Sequence, residues 1–331
     1  MNLHCRVLRA FSAIMTETIR FTPIYQTRIW GGRRLETMLA RTLPDAQPYG
    51  ESWELCDRAE SQSVVCGGAL SGKTLHELWT QNRTDIFGLR YANHPAERFP
   101  ILLKILDCVD TLSLQVHPPA ALAPRFNGEP KTEMWFVAHA DPGALVYAGL
   151  KRGTTRDAFE KALQDGTAAE VVHSVKPERG EFMFVESGRL HALGAGLLIY
   201  EIQQNSDTTF RVFDWNRVGL DGKPRTLHVA ESLACIDFND FEPSMQSAAA
   251  DGTLVHCSYF DTKLRHLAAG QSQAFESDDA FVCVAITRGK GTIAGQGVST
   301  GDFLLLPASL PQSAKSIVAS EQMEWLEIRL P

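Results

Sequence analysis

Gln115 and His117 stand two apart in Ser113-Leu-Gln-Val-His-Pro-Pro119, a stretch that reads as a strand ended by prolines. Side chains at i and i+2 share one face of a strand, so an amide oxygen and an imidazole are presented together. Glu133 in Lys131-Thr-Glu-Met-Trp135 and His191 in Gly188-Arg-Leu-His-Ala192, which reads as a glycine-bounded turn between two apolar strands, add a carboxylate and a second imidazole. If they converge, these four groups form a ligand set suited to a zinc-like ion. Each has an ordinary reading too: a histidine on a strand is usually structural, and Glu133 at a strand edge can face solvent. A carboxylate buried beside the apolar run 134–137, however, must be paired or bound to metal. Lys104, inside Ile101-Leu-Leu-Lys-Ile-Leu106, faces the same choice between solvent and a purposeful burial. Lys131 shares a side with Glu133 if that segment is extended. Glu201 and Arg211 bracket a segment with strand-like ends and a polar middle. The planar fork of Arg211 suits phosphate, or else a salt bridge to Asp207 or Asp214.

The elements that must position these residues are short strands punctuated by Gly and Pro. They are expected over Ile101–Leu106, Leu112–Val116, Met134–Val137, Phe182–Val185, Leu197–Ile202 and Phe303–Leu306. Helical patterns are few: Leu75–Asn82, Arg156–Leu163 with Thr154 and Thr155 as caps and Gly166 as a stop, and Leu227–Ala234. This predicts a mainly β protein. A frame also recurs. Gly180 is followed by an apolar strand, Glu186, Gly188 and His191; Gly301 is followed by an apolar strand, Pro307, Ser309 and Gln312, at the same offsets. The first copy resembles the second sequence motif of cupins, with Glu186 where that motif has proline. Two related β-barrels are therefore expected, the first metal-competent and the second not.

Composition bounds the function. The chain has 331 residues, 44% of them apolar and 21% charged, which describes a folded protein with room for two domains. Net charge is −7 with no basic tract, so nucleic acid is not an expected partner. No apolar run approaches the length of a membrane span. Seven scattered cysteines, with no Cys-x-x-Cys, fit buried free thiols in a reducing, cytoplasmic compartment. Residues 1–15 lack the pattern of a signal peptide and are expected to be disordered, with Met15 an alternative start.

Taken together the motifs resemble type I phosphomannose isomerases, especially their short bacterial form. The resemblance runs from about Phe21 to the C-terminus. It rests on Ile29-Trp-Gly-Gly32, Tyr49-Gly-Glu-Ser-Trp-Glu54, Pro100 to Asp107, Leu114-Gln-Val-His-Pro118, Lys131-Thr-Glu-Met-Trp135, His191-Ala-Leu-Gly-Ala-Gly196, Glu201 to Asp207 and Arg211-Val-Phe-Asp-Trp215. It implies two cupin-like jelly-roll barrels: a catalytic domain over 16–240, with a helical insertion near 154–175, and a C-terminal domain over 241–331 without a metal site, serving packing or shielding. It implies one Zn2+ per chain on Gln115, His117, Glu133 and His191. It puts Lys104, Lys131 and Arg211 on the phosphorylated sugar, and Glu201 beside the reacting carbons with Arg211 and Lys131. The implied reaction interconverts mannose 6-phosphate and fructose 6-phosphate through a zinc-assisted cis-enediol. Glu201 is the first choice for proton transfer, since burial can raise a carboxylate toward neutrality, and Arg211 the second. Alternatives are a zinc isomerase of another phosphorylated aldose, a non-catalytic sugar-phosphate sensor, and an iron cupin dioxygenase. The Gln115 position and the flanking cations disfavour the dioxygenase. A monomer or small homo-oligomer is expected.

Overall fold

A computed structural model describes residues 17–218, 222–276 and 279–331; the leading segment 1–15, with Cys5 and Met15, lies outside the described residues. Two units follow each other along the chain. The first holds β1 Ile24–Gly32, β2 Tyr49–Leu55, β3 Ile101–Cys108, β4 Leu114–Val116, β5 Glu133–Ala140, β6 Val146–Leu150, β7 Val172–Val175, β8 Phe182–Val185, β9 His191–Leu193, β10 Leu197–Gln204 and β11 Phe210–Phe213. The second holds β12 Thr253–His256, β13 Asp261–Leu267, β14 Ser272–Ala274, β15 Val282–Arg288, β16 Lys290–Ile293, β17 Gln296–Ser299, β18 Phe303–Leu306, β19 Ser316–Ala319 and β20 Met323–Arg329. All six expected strands are present, and the protein is mainly β.

The strands form four sheets. In the first unit the orders are β1-β2-β3-β10-β5-β8 and β11-β4-β9-β6-β7; in the second they are β12-β13-β20-β15-β18 and β14-β19-β16-β17. The expected barrels are not closed. Each unit is a pair of open sheets, because among the described residues no ladder joins the end strands of one sheet to those of its partner. In the first unit the smaller sheet is built of strands only three to five residues long, too short to carry hydrogen bonding around a corner.

Short helices finish the unit edges. The expected helix at Leu75–Asn82 is found at Leu75–Gln81, where Thr74 and Glu77 form a capping box. That at Arg156–Leu163 is found at Arg156–Gln164, capped by Thr155, and that at Leu227–Ala234 at Val229–Cys235. Gly166, just past the second, has a φ of +73°, the left-handed conformation that ends a helix at little cost for glycine.

All eight residues of β3 are buried, without the polar alternation of a one-sided strand. Both of its faces are covered. Ile101, Leu103 and Ile105 join Met134, Phe136, Leu198, Tyr200 and Ile202 in one core, which also takes Cys283, Ala285, Leu326 and Ile328 of the second unit. Leu106 and Cys108 point the other way, into a core shared with β5, β6 and β9. The large sheets of the two units thus pack face to face, with a small sheet outside each.

Phe281 is fully buried at the junction, with ring centroids 5.1 Å from Phe87, 5.6 Å from Tyr91 and 5.7 Å from Phe99. Phe281→Ala is expected to cost about 3–5 kcal/mol in urea unfolding. A cost below about 1 kcal/mol would show that this cluster does not hold the units together.

Candidate active site

The inner face of the large N-terminal sheet carries a row of large and charged residues. Trp53 pairs with Lys104, Lys104 with Glu201, Glu201 with Trp135, and Trp135 with Met183, across β2, β3, β10, β5 and β8. One row along, Gln203 pairs with Glu133. Such directly opposed positions bring side chains together irrespective of sequence distance. The facing small sheet brings Gln115 opposite His191, while His117 follows the end of β4.

Four groups meet where these faces converge. His117 Nε2 lies 3.4 Å from Glu133 Oε2, and His191 Nε2 lies 3.5 Å from Glu133 Oε1. Gln115 Nε2 is 3.3 Å from His191 Nε2; the two ends of an amide are nearly isosteric, so a half-turn presents the oxygen instead. His117, Glu133 and His191 are completely buried, and one ligand atom from each falls within 4.8 Å of the others. Each histidine directs Nδ1 at a backbone carbonyl, His117 at Thr208 and His191 at Arg189, both at 2.8 Å. A carbonyl only accepts, so Nδ1 carries the proton and the Nε2 lone pair faces the cluster.

The cluster fits a metal ion. His117 Nε2 and Glu133 Oε1 are buried with no hydrogen-bond partner, and Glu133 Oε2 makes no hydrogen bond of good geometry and has only the Lys131 ammonium beside it at 3.0 Å, a costly state that a cation in their midst would relieve. Burial, aided by His117, pushes His191 down to about 3, and burial with Lys131 nearby lowers His117, so both rings are neutral near pH 7. Burial alone would raise Glu133, but the Lys131 ammonium holds it well below the usual carboxylate range. The donor set is thus one carboxylate and two neutral imidazoles, with an amide alongside.

Next to the cluster a cleft of about 400 Å³ reaches the surface, its wall including Gln115, Lys131, Glu201 and Arg211. Lys131 Nζ is 3.0 Å from Glu133, as the extended spacing predicts. Lys104 is 3% exposed, which excludes a solvent-facing position; its Nζ sits 3.4 Å from Glu201 and 3.6 Å from Glu51. The other Glu201 oxygen accepts the Trp135 indole N–H at 3.0 Å. Burial, then the nearby Glu133, raises Glu201 despite Lys104 and Lys131. Arg211 makes neither of the salt bridges allowed for it from sequence. Asp214 is held by Arg217 and Arg225, and Arg211 donates to the Thr226 carbonyl at 2.9 Å with its Nε buried and unpartnered.

His191 departs from the sequence expectation in one respect: it is the first residue of β9 rather than part of a turn. Other cleft residues were not singled out from sequence. Glu51 accepts from Arg28 at 2.7 Å and from the Trp53 indole at 2.6 Å. Burial would raise it, but Lys104 and Arg28 bring it down to about 2. Its signal was present, since Glu51-x-Trp53 repeats the spacing of Gln115-x-His117. Arg28 and Arg225 also line the cleft, as does Asp207, which the sequence offered only as a salt-bridge partner for Arg211.

The chain is similar to known proteins along most of its length. Residues 18–127 match the family model of the phosphomannose isomerase type I catalytic domain, a span that includes Lys104, Gln115 and His117. The chain is 35% identical over 308 residues to mannose-6-phosphate isomerase ManA of Bacillus subtilis, covering 89% of this chain and 94% of that protein. It is 31% identical to the mannose-6-phosphate isomerase of Streptococcus mutans, covering 89% and 94%. The crystal structure of the mannose 6-phosphate isomerase from Bacillus subtilis superposes with a TM-score of 0.82 at 27% identity, covering 94% of this chain and 99% of that one.

Replacing both His117 and His191 by alanine is expected to reduce bound divalent metal at least tenfold by elemental analysis of the purified protein. Unchanged metal content would overturn the assignment of this cluster.

Proposed function

The chain belongs to the type I phosphomannose isomerases and is a mannose-6-phosphate isomerase; from that premise we propose how its cleft interconverts mannose 6-phosphate and fructose 6-phosphate. One zinc ion per chain is assigned to Gln115, His117, Glu133 and His191. The observation that carries this reading is the pair of buried, unpartnered atoms, His117 Nε2 and Glu133 Oε1, beside a charged cleft. When bound, the ion supplies positive charge that polarises sugar oxygens.

The remaining chemistry falls to the chain's own residues. An aldose–ketose exchange must move a proton between C2 and C1 on one face of a cis-enediolate. Glu201 is assigned to take the C2 proton and return it to C1. Its raised affinity for a proton brings it closer to the operating pH, where a general base works best. The Trp135 N–H fixes one carboxylate oxygen, leaving the other beside Lys104. Lys131, its charge favoured by Glu133, is placed to stabilise negative charge developing on the sugar oxygens.

Arg211 is assigned the phosphate. Lys104 and Lys131 share this cationic wall but already face carboxylates, whereas no carboxylate lies within 4.0 Å of Arg211 among the described residues. A guanidinium in this state meets a phosphate dianion without giving up an ion pair. Among the described residues no helix is long and apolar enough to cross a membrane. A cytoplasmic setting is part of the proposal.

Purified protein is expected to convert mannose 6-phosphate in a coupled assay, to lose at least 90% of that activity on chelation, and to regain it with zinc. Activity that survives complete metal removal would overturn the role of the ion. Glu201→Gln is expected to lower both turnover and solvent-deuterium exchange at C2 by at least a hundredfold. Near-native exchange would remove Glu201 as the base and leave Arg211 as the second choice.

A further inference from the structure

The likeness between 180–191 and 301–312 extends to the strand order. The orders β2-β3-β10-β5-β8 and β4-β9-β6-β7 recur as β12-β13-β20-β15-β18 and β14-β19-β16-β17, each number raised by ten. With Phe182–Val185 and Phe303–Leu306 as the common frame, the ladders carry the equivalence from strand to strand. Met183 pairs with Trp135 as Leu304 pairs with Val284. Trp135 pairs with Glu201 as Val284 pairs with Glu327. Glu201 pairs with Lys104 as Glu327 pairs with Lys263. The residues on each face agree: Leu264 lies in the junction core as Ile105 does, and Ile328 as Ile202 does.

Lys263 and Glu327 therefore occupy the positions of Lys104 and Glu201. The glutamate and histidine ligands have no counterparts among the described residues. Glu133, opposite Val185, becomes Val282, opposite Leu306. β4, with Gln115, and β9, with His191, recur as β14 Ser272–Ala274, which keeps a glutamine at 273, and β19 Ser316–Ala319, which holds no histidine. Gln312, which matches His191 in the linear frame, sits in the loop before β19 and donates its amide to the Phe275 carbonyl at 2.9 Å.

A cleft of about 360 Å³ opens at this second Lys–Glu position, its wall including Thr253, Asp261, Lys263, Glu327, Arg329 and, from the first unit, Arg90. Glu327 is 4% exposed and accepts the Trp325 indole N–H at 3.3 Å, as Glu201 accepts that of Trp135. Its near cation is Arg265, at 3.6 Å, in place of the lysine. Lys263 has no carboxylate within 4.0 Å among the described residues. A buried carboxylate accepts sugar hydroxyls, and a lysine with arginines around it receives an oxyanion.

We propose that the cleft of the C-terminal unit is a second binding site for a hexose phosphate, one that binds without turning its ligand over. The inference rests on the substrate class assigned to the first cleft. Lys263, Arg90 and Arg329 face the phosphate; Glu327, Asp261 and Thr253 face the hydroxyls. Without the His–Glu–His cluster the site lacks the means to stabilise an enediolate.

The test is equilibrium dialysis of the metal-loaded enzyme against labelled fructose 6-phosphate up to ten times its KM. Two molecules per chain are expected, falling to one in Lys263→Met and in Glu327→Gln, with thermal melting confirming that each variant is folded. One molecule per chain in active wild-type enzyme, or two retained in both variants, would overturn the proposal. Equimolar inorganic phosphate is expected to displace less than half of the second molecule; complete displacement would mark a bare oxyanion site and overturn the sugar assignment. Wild-type protein that fails to isomerise mannose 6-phosphate would instead overturn the reading of the first cleft. The second would then still be judged by whether Lys263→Met lowers the number bound.

Discussion

Both faces of the large N-terminal sheet are buried, and they face different surroundings. Odd positions of β3 and even positions of β5 and β10 meet the second unit across an apolar junction. The alternate positions meet the small sheet, and there one end is filled by apolar side chains while the other holds Lys104, Glu133 and Glu201. Because side chains alternate with period two, the strands that anchor the units together also aim the charged residues. Tyr200 and Glu201 show this most directly. Tyr200 donates to the Ile286 carbonyl at 2.9 Å and stacks on Phe303, while Glu201 beside it points into the cleft. Displacing the second unit would move the proposed base.

Charge explains why the cleft tolerates so many buried ionisable groups. Lys104 lies between two carboxylates, and Lys131 lies against Glu133. Each ion is compensated by a neighbour, Lys104 and Glu201 across a ladder and Lys131 and Glu133 along one extended segment, the condition under which buried charge is tolerable. The cluster of His117, Glu133 and His191 is the exception among these groups, with acceptors facing one another and too few donors, which is the arrangement a cation completes. The carbonyls that orient the two imidazoles are themselves anchored. Thr208 receives the Glu129 N–H on its hydroxyl at 3.0 Å, and Arg189 is held by a two-pronged contact to Asp240 at 2.7 and 3.0 Å.

The second unit repeats the strand order but fills its interior differently. Val282, Val284, Ile286, Ile293, Ile317 and Trp325 close the space that the first unit leaves for ligands. Where the packing ends, a lysine and a glutamate again stand opposite each other on neighbouring strands, Lys263 and Glu327, although the ion pair of the glutamate is with Arg265. One architecture thus supports an apolar core and a polar cleft in both copies, and the boundary between them differs.

The residues alone determined a good deal. Gln115-x-His117 on one strand face, Lys131-x-Glu133 on another, the six strands and the Thr155 cap all depend on contacts within a few positions along the chain, where period and stereochemistry suffice. The repeated glycine frame likewise announced the duplication. What the linear chain left open was set by pairing between distant strands. Lys104 was ambiguous because its burial depends on Glu201, almost a hundred positions away, and on Glu51 across a different ladder. His191 was assigned to a turn because β9 is three residues long and exists only through its partners β4 and β6. The barrels proved to be open sheets, and Gln312 proved unrelated to His191 in space, because closure and register are decided by hydrogen bonds between segments far apart. Local spacing chooses which side chains share a face; tertiary packing decides what that face meets.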